Sequence, residues 1–234
     1  AGPRTKQQPI ARARIVHRSG AGSSALNMAV DEALLEAMPR LRMPVLRFFS
    51  WEEPAASFGY FQKYGEVERL TSLRPLVRRP TGGGLVPHEA DWTYSLVFPH
   101  GHEWHQLSAI KSYRRVHQWL ADAFALGGLP TLLAPASQKA EPGRCFAGYE
   151  QFDLLWRGQK LAGAAQRRKR EGLLVQGSVQ PAAIGVQRAV WEEAMREVSR
   201  EARWQNWEPD QALNDRACEL VQKKYSQTSY NQNR

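Results

Sequence analysis

The chain has 234 residues, 42% of them hydrophobic and 24% charged, an ordinary globular composition that excludes collagen-like, mucin-like and wholly disordered classes. A chain of this size buries enough apolar surface to fold without a metal or disulfide staple, and none of its apolar runs approaches the ~20 residues of a membrane span. Its net charge of +9, from 32 Lys and Arg against 23 Asp and Glu, favours an acidic partner: nucleic acid, a membrane surface or an acidic carrier protein.

Residues 1–14 are polar and basic with no apolar segment behind them, so no secretory signal is expected. Residues 12–17 (RARIVH) read as a first strand. Ser23 or Ser24 then caps a helix over 25–38, with Leu26, Ala29, Ala33, Leu34 and Ala37 on one face and Pro39 and Pro44 bracketing its exit. Residues 45–51 (VLRFFSW) and 76–79 are β-rich, and after Gly82-Gly83-Gly84 the run 92–98 (WTYSLVF) is another strand. The strongest helical period lies over 106–126, where Leu107, Ile110, Tyr113, His117, Leu120 and Phe124 recur until Gly127-Gly128 ends the helix. Residues 152–156 and 159–162 flank Arg157-Gly158 as a two-residue hairpin. A strand at 173–179 and helices at about 187–202 and 209–225 complete the pattern. Strands and helices alternate without a Pro/Gly/Ser linker, so a single α+β (mixed α/β) domain over 12–225 is expected, with flexible ends at 1–11 and 226–234.

Chemistry concentrates in two stretches. The first is Arg78-Arg79-Pro80-Thr81-Gly82-Gly83-Gly84 through His88. Consecutive glycines suit a loop that something approaches closely, and two arginines beside exposed backbone N–H groups suit a phosphate or a carbonyl oxygen. The alternative is a surface turn with solvated arginines, and the spacing fits neither the P-loop nor the dinucleotide fingerprint. His88, after the loop, either caps a strand or orients a substrate. The second stretch is Cys145, in a Pro/Gly loop, followed fifteen residues later by Lys160. A lysine folded back onto a cysteine raises its thiolate fraction; otherwise Lys160 is a solvated strand lysine. Cys218, beside Ala217, Leu220 and Val221, reads as structural. With only these two cysteines there is no disulfide framework, and a reducing cytoplasm is expected. His100, His102 and His105 lack cysteine or acidic neighbours at ligand spacing apart from Glu103, so no metal site is expected. The block Arg167-Arg168-Lys169-Arg170 reads as a hairpin tip that is either solvated or docks an acidic partner.

Four segments in order resemble one family. They are Asn27-Met28-Ala29 with Asp31-Glu32-Ala33-Leu34-Leu35; Gly59-Tyr60-Phe61-Gln62-Lys63; Arg78 to Gly83 through His88 to Thr93-Tyr94-Ser95; and Cys145-Phe146 leading to Gly158–Gln166. Together, over roughly residues 12–185, they are similar to the catalytic domain of the biotin/lipoate protein ligases, and within it to the cysteine-dependent octanoyltransferases. The resemblance implies a mixed sheet flanked by helices, akin to the catalytic domain of class II tRNA synthetases. It implies catalytic roles for Cys145 as nucleophile and Lys160 as the family's active-site lysine. Tyr60, Gln62, Arg78, Arg79, Thr81, Gly82, Gly83, Gly84, His88, Gly163 and Ala164 fall at substrate-binding positions. Three departures stand out: Gly84 where the transferases usually carry arginine, His88-Glu89 for His-Asp, and Gln176-Gly177-Ser178 for His-Gly-Ser or His-Gly-Thr.

The activity this implies is transfer of an octanoyl or lipoyl group, in protein lipoylation, from an acyl-carrier protein to a lysine of a lipoyl-domain or glycine-cleavage H-like protein. A Cys145 thioester would carry the acyl group, with no cofactor, nucleic acid or membrane involved. Nothing in the chain matches the accessory domain many ligases carry. The alternative is an ATP-dependent lipoate or biotin ligase that uses MgATP and builds an acyl-adenylate on Arg78, the glycine loop and Lys160. A non-catalytic basic module for RNA is the third reading, although no RRM, KH or zinc-knuckle pattern is present.

Overall fold

The computed structural model describes residues 12–139, 148–181, 184–199 and 202–233. Among these, eight strands form one mixed sheet in the order β11-β1-β2-β6-β10-β9-β8-β7. They are β1 (Arg12–Gly22), β2 (Val45–Trp51), β6 (Trp92–Pro99), β7 (Leu132–Leu133), β8 (Leu154–Trp156), β9 (Gln159–Arg168), β10 (Gly172–Val179) and β11 (Ala202–Asn206). β1 runs parallel to both β2 and β11, whereas every other pairing in this sheet is antiparallel. A small second sheet places β3 (Ala55–Phe58) between β4 (Leu76–Arg78) and β5 (Val86–His88), with the single helical turn α2 (Tyr64–Val67) lying between β3 and β4 in sequence.

Side-chain alternation assigns the faces of the large sheet. On β6, Tyr94, Leu96 and Phe98 join one core cluster and Val97 the other; on β10, Leu173 and Val175 part from Leu174 in the same way. The first face is covered by α4 (Ala109–Leu126) and α5 (Arg188–Glu197), the second by α1 (Ser24–Leu41) and α6 (Gln211–Leu220). Because helices cover both faces, every residue of β10 is buried. On α4, Val116, Leu120 and Phe124 are wholly buried at four-residue steps, each contributing about 1.5–3 kcal/mol by leaving water. Gly128, at φ +79°, supplies the left-handed residue after this helix, and the Leu129 N–H returns to the Phe124 carbonyl.

Several elements differ from the sequence reading. α1 begins at the expected cap, Ser23, whose hydroxyl accepts from the Leu26 N–H, but it runs through Pro39 to Leu41. The helix read at 106–126 is two helices, α3 (Glu103–Gln106) and α4, because Leu107 and Ser108 are extended. The end of the helix read at 187–202 gives way to β11, which sits at the sheet edge beside β1. Within 226–233, expected to be loose, Tyr230 and Asn231 are docked. A π-helical turn, Val221–Tyr225, leads to α7 (Thr228–Asn231), and the backbone there binds Arg78. Cys218, read as structural, lies exposed on α6. Residues 1–11 lie outside the described residues. None of the described helices is long and apolar enough to cross a membrane.

Candidate active site

A cavity of about 450 Å³ opens between the two sheets, lined by the glycine loop, β9, β10 and the loop before β8. Its volume is in the range of small-molecule sites. Lys160 reaches it from β9 because of two local devices. Arg157 (φ +50°) and Gly158 (φ +76°) make the hairpin turn that returns β9 against β8. Just beyond, Leu154 pairs with Ala162 but Leu155 with Lys160, so Leu161 is an extra residue on β9. That bulge brings Lys160 and Gly163, three residues apart, to the same face. The lysine then passes directly over Gly163, where a Cβ would lie 2.7 Å from Lys160 Cε and 2.8 Å from Nζ. Gly163, assigned to substrate binding by the resemblance, lines the cavity and is also the clearance that lets Lys160 lie where it does.

Lys160 Nζ is 2.7 Å from Asp153 Oδ2, with the lysine side chain 16% exposed and the aspartate wholly buried. The other oxygen, Oδ1, accepts the Tyr113 hydroxyl, and the Glu150 N–H donates to Oδ2 at 2.7 Å. Burial, with the Asp153 charge beside it, raises the Tyr113 pKa well above the ordinary phenol value, so it stays a donor. His117, buried 3.9 Å from Oδ1, gives its Nδ1–H to the Tyr113 carbonyl. Burial pulls its pKa down to about 4, which keeps it neutral.

On the glycine-loop side, Gly83 (φ +83°) turns so tightly against β3 that a Cβ on Gly59 would lie 1.9 Å from its carbonyl oxygen. Arg79, buried beneath, gives Nη2 to the carbonyls of Gly82 and Gly84, both at 2.6 Å, and Nη1 to the Ser57 carbonyl at 3.1 Å. Burial lowers its pKa to about 10, still far above neutral. Arg78 is used in the same way: its guanidinium binds the carbonyls of Tyr60, Gln62, Tyr230 and Asn231. The arginines were expected to face an incoming phosphate or carbonyl; the carbonyls they hold belong to the chain itself, because both side chains are buried, Arg79 beneath the glycine loop and Arg78 against Tyr60, Gln62 and the last residues described.

His88 is buried, stacked on Trp51 with ring centroids 3.8 Å apart. Its Nδ1 lies 2.8 Å from Asp91 and its Nε2 2.8 Å from the Ser57 hydroxyl. The acid that serves His88 is therefore Asp91 and not the neighbouring Glu89. Gln176, where the family usually carries histidine, bridges two elements: Oε1 accepts from Thr81 and Nε2 donates to Asp31 at 2.7 Å.

Of the residues assigned from sequence, Gln62, Arg79, Gly83, Gly84, His88, Lys160, Gly163 and Ala164 line the cavity. Tyr60, Arg78, Thr81 and Gly82 are not among its lining residues; the Tyr60 N–H donates to the Thr81 carbonyl at 2.9 Å. Cys145 lies outside the described residues. The basic block is largely engaged within the chain: Arg167 binds the Pro80 carbonyl, Arg168 the His105 carbonyl, and Lys169 lies 3.6 Å from Glu32. Among the described residues no cluster of His, Cys, Asp and Glu could hold a metal; His102 instead caps α3. The sequence reading missed Asp153 and Tyr113. An acid four residues before the hairpin turn and a lysine two after it was the available signal for the first. Tyr113 was legible only as part of a helix face.

This architecture is that of the lipoate-protein ligases. A lipoate-protein ligase A bound with ATP superposes with a TM-score of 0.75 at 19% identity, covering 94% of this chain and 98% of that one. The bi-partite lipoate protein ligase of Thermoplasma acidophilum gives 0.74 at 18% identity, over 94% and 96%. Residues 23–182 match the family model of the lipoyl protein ligase A/B catalytic domain, and the chain belongs to that family. Octanoyltransferase LipM of Kyrpidia tusciae is 35% identical over 178 residues, 71% of this chain and 65% of that protein; the chain thus spans a little under two thirds of this relative's length.

Proposed function

We propose that the chain is an octanoyl (or lipoyl) transferase of protein lipoylation that works through a cysteine thioester. In the first half-reaction the Cys145 thiolate attacks the thioester carbonyl of an acyl-carrier protein; the new C–S bond replaces the old one, and the carrier leaves as a thiolate that takes up a proton. In the second, the ε-amine of a lipoyl-domain lysine attacks the acyl-cysteine. A C–N bond forms, the Cys145 thiolate departs, and the amine proton passes to a base or to water. Thioester exchange is nearly isoenergetic and amide formation runs downhill, so no ATP is required. Lys160 holds the acyl carbonyl and favours the thiolate; backbone N–H groups of Gly83–Gly84 or Gly163–Ala164 are the donors for the oxyanion.

The observation that carries this reading is a lysine held by a buried aspartate at the wall of a cavity of about 450 Å³, in a chain 35% identical to an octanoyltransferase. The ATP-dependent ligase reading asked Arg78 to bind an adenylate, and that guanidinium is committed to four backbone carbonyls. Intact mass after incubation with octanoyl-carrier protein is the test. A gain of one octanoyl group, lost in Cys145→Ala, is expected. Full transfer by Cys145→Ala, or turnover only with free acid and MgATP, overturns the proposal.

A further inference from the structure

Asp153 presents its two oxygens to different groups. Oδ1 takes the Tyr113 hydroxyl; Oδ2 takes the Lys160 ammonium at 2.7 Å and the Glu150 N–H at 2.7 Å. His117, the remaining ionisable group against Oδ1, is neutral and 3.9 Å away, so within this group the charge opposite Asp153 is Lys160. Tyr94, buried in the same core, is a neutral phenol because burial raises its pKa, with the Asp153 charge adding to the effect. The three contacts come from three places: α4 through Tyr113, β9 through Lys160, and the backbone just after residue 147 through Glu150. Gly163 completes the arrangement by leaving no Cβ between lysine and aspartate; one placed there would lie 3.1 Å from Asp153 Oδ1.

We infer that Asp153 is the positioning residue of Lys160, and that Tyr113, by occupying Oδ1, fixes the oxygen and the share of negative charge the ammonium receives. This rests on the reading of Lys160 as an active-site group, but the test does not. A carboxylate at hydrogen-bond distance holds the ammonium in place, and a hydroxyl on the other oxygen draws away some of the charge that holds it. The two partners therefore act on Lys160 with opposite sign.

Acetylation of Lys160 by acetic anhydride at pH 7, followed by peptide mass spectrometry on the full chain, reads the amine directly and needs no acyl donor. Asp153→Asn should speed labelling of Lys160 by about tenfold, because the amine is no longer held against a carboxylate. Tyr113→Phe should slow it by about threefold, because the carboxylate, freed of the Tyr113 hydroxyl, holds the amine more tightly. A purely structural role makes both substitutions loosen the site and speed labelling; that result, or unchanged labelling in both, overturns the inference. Should Asp153→Asn not fold by circular dichroism, the sign of the Tyr113→Phe change decides alone. In octanoyl transfer, Asp153→Asn should lower kcat with little change in KM, and the loss should vanish in a Lys160→Met background. Equal losses in both backgrounds overturn the inference. Absence of transfer by the unmodified chain overturns the functional reading only, since labelling stands apart from it.

Discussion

Two buried acid–base pairs sit on the large sheet, and they are built for different ends. Arg47 and Asp31 are both at most 1% exposed, 2.8 Å apart. Arg47 also gives hydrogen bonds to Ser19 and to the Asn27 carbonyl and side chain, while Asp31 accepts from Ser95 and Gln176. Its partners are main-chain and side-chain groups of β1, α1, β6 and β10, so this pair fastens elements to each other. The Lys160–Asp153 pair has an equally buried acid but a base that opens on the cavity. An arginine with a rigid fork serves the first purpose, and a lysine with a mobile point charge the second. Burial of a charge alone does not mark a site; here it is the opening of Lys160 on the cavity that does.

The sharpest way to break this contrast is to remove each base. Arg47→Met leaves Asp31 buried without its counter-charge and should cost about 3–5 kcal/mol in urea unfolding. Lys160→Met should cost no more than about 2 kcal/mol, since Asp153 keeps two donors beside an open cavity, yet reduce octanoyl transfer by about 10³-fold. Equal stability losses from the two would erase the distinction.

A somewhat smaller effect concerns pH. Burial lowers the pKa of His117 to about 4 and is also the main cause of the lowered value of His17. The unfolded chain, with histidines near 6.5, therefore binds more protons than the folded one as pH falls from 6.5 towards 4, and stability drops over that window. His117→Gln should remove at most about 3 kcal/mol of that drop, read from urea midpoints at pH 7 and 4.5; an unchanged slope would exclude His117 as its source. Gly163→Ala comes next. The added methyl displaces Lys160 and should lower kcat by about 10²-fold while the melting temperature moves little. Wild-type turnover in Gly163→Ala would show that the lysine's path over the glycine is immaterial.

Much of the frame was legible in the sequence because periodicity reports burial. The strands at 45–51 and 92–98 and the hairpin turn at Arg157-Gly158 appear almost as read. β4 falls within the run read as β-rich at 76–79, whereas β3, β5 and β11 carried no such signal; their pairing depends on neighbours distant in the chain. At the site, motif order pointed to Lys160, His88 and the glycine loop, of which Lys160, His88, Gly83 and Gly84 line the cavity. What it misjudged was direction. Arg78 and Arg79 beside three glycines look like groups awaiting a ligand, and only the packed chain shows carbonyls already filling their donors. Asp153 stayed hidden because a single acid before a short strand resembles any loop residue until the bulge at Leu161 turns the lysine toward it.

The docking of α7 against Arg78 bears on how this protein is handled at the bench. Two of the four carbonyls that hold that guanidinium, those of Tyr230 and Asn231, come from the last few described residues, and the Asn231 side chain also accepts the Arg78 N–H at 2.8 Å. A chain cut after Tyr225 therefore takes away part of what holds Arg78, about 150 residues upstream in sequence, which in turn holds the carbonyls of Tyr60 and Gln62. A shortened variant with weak activity reports a damaged scaffold before it reports on catalysis.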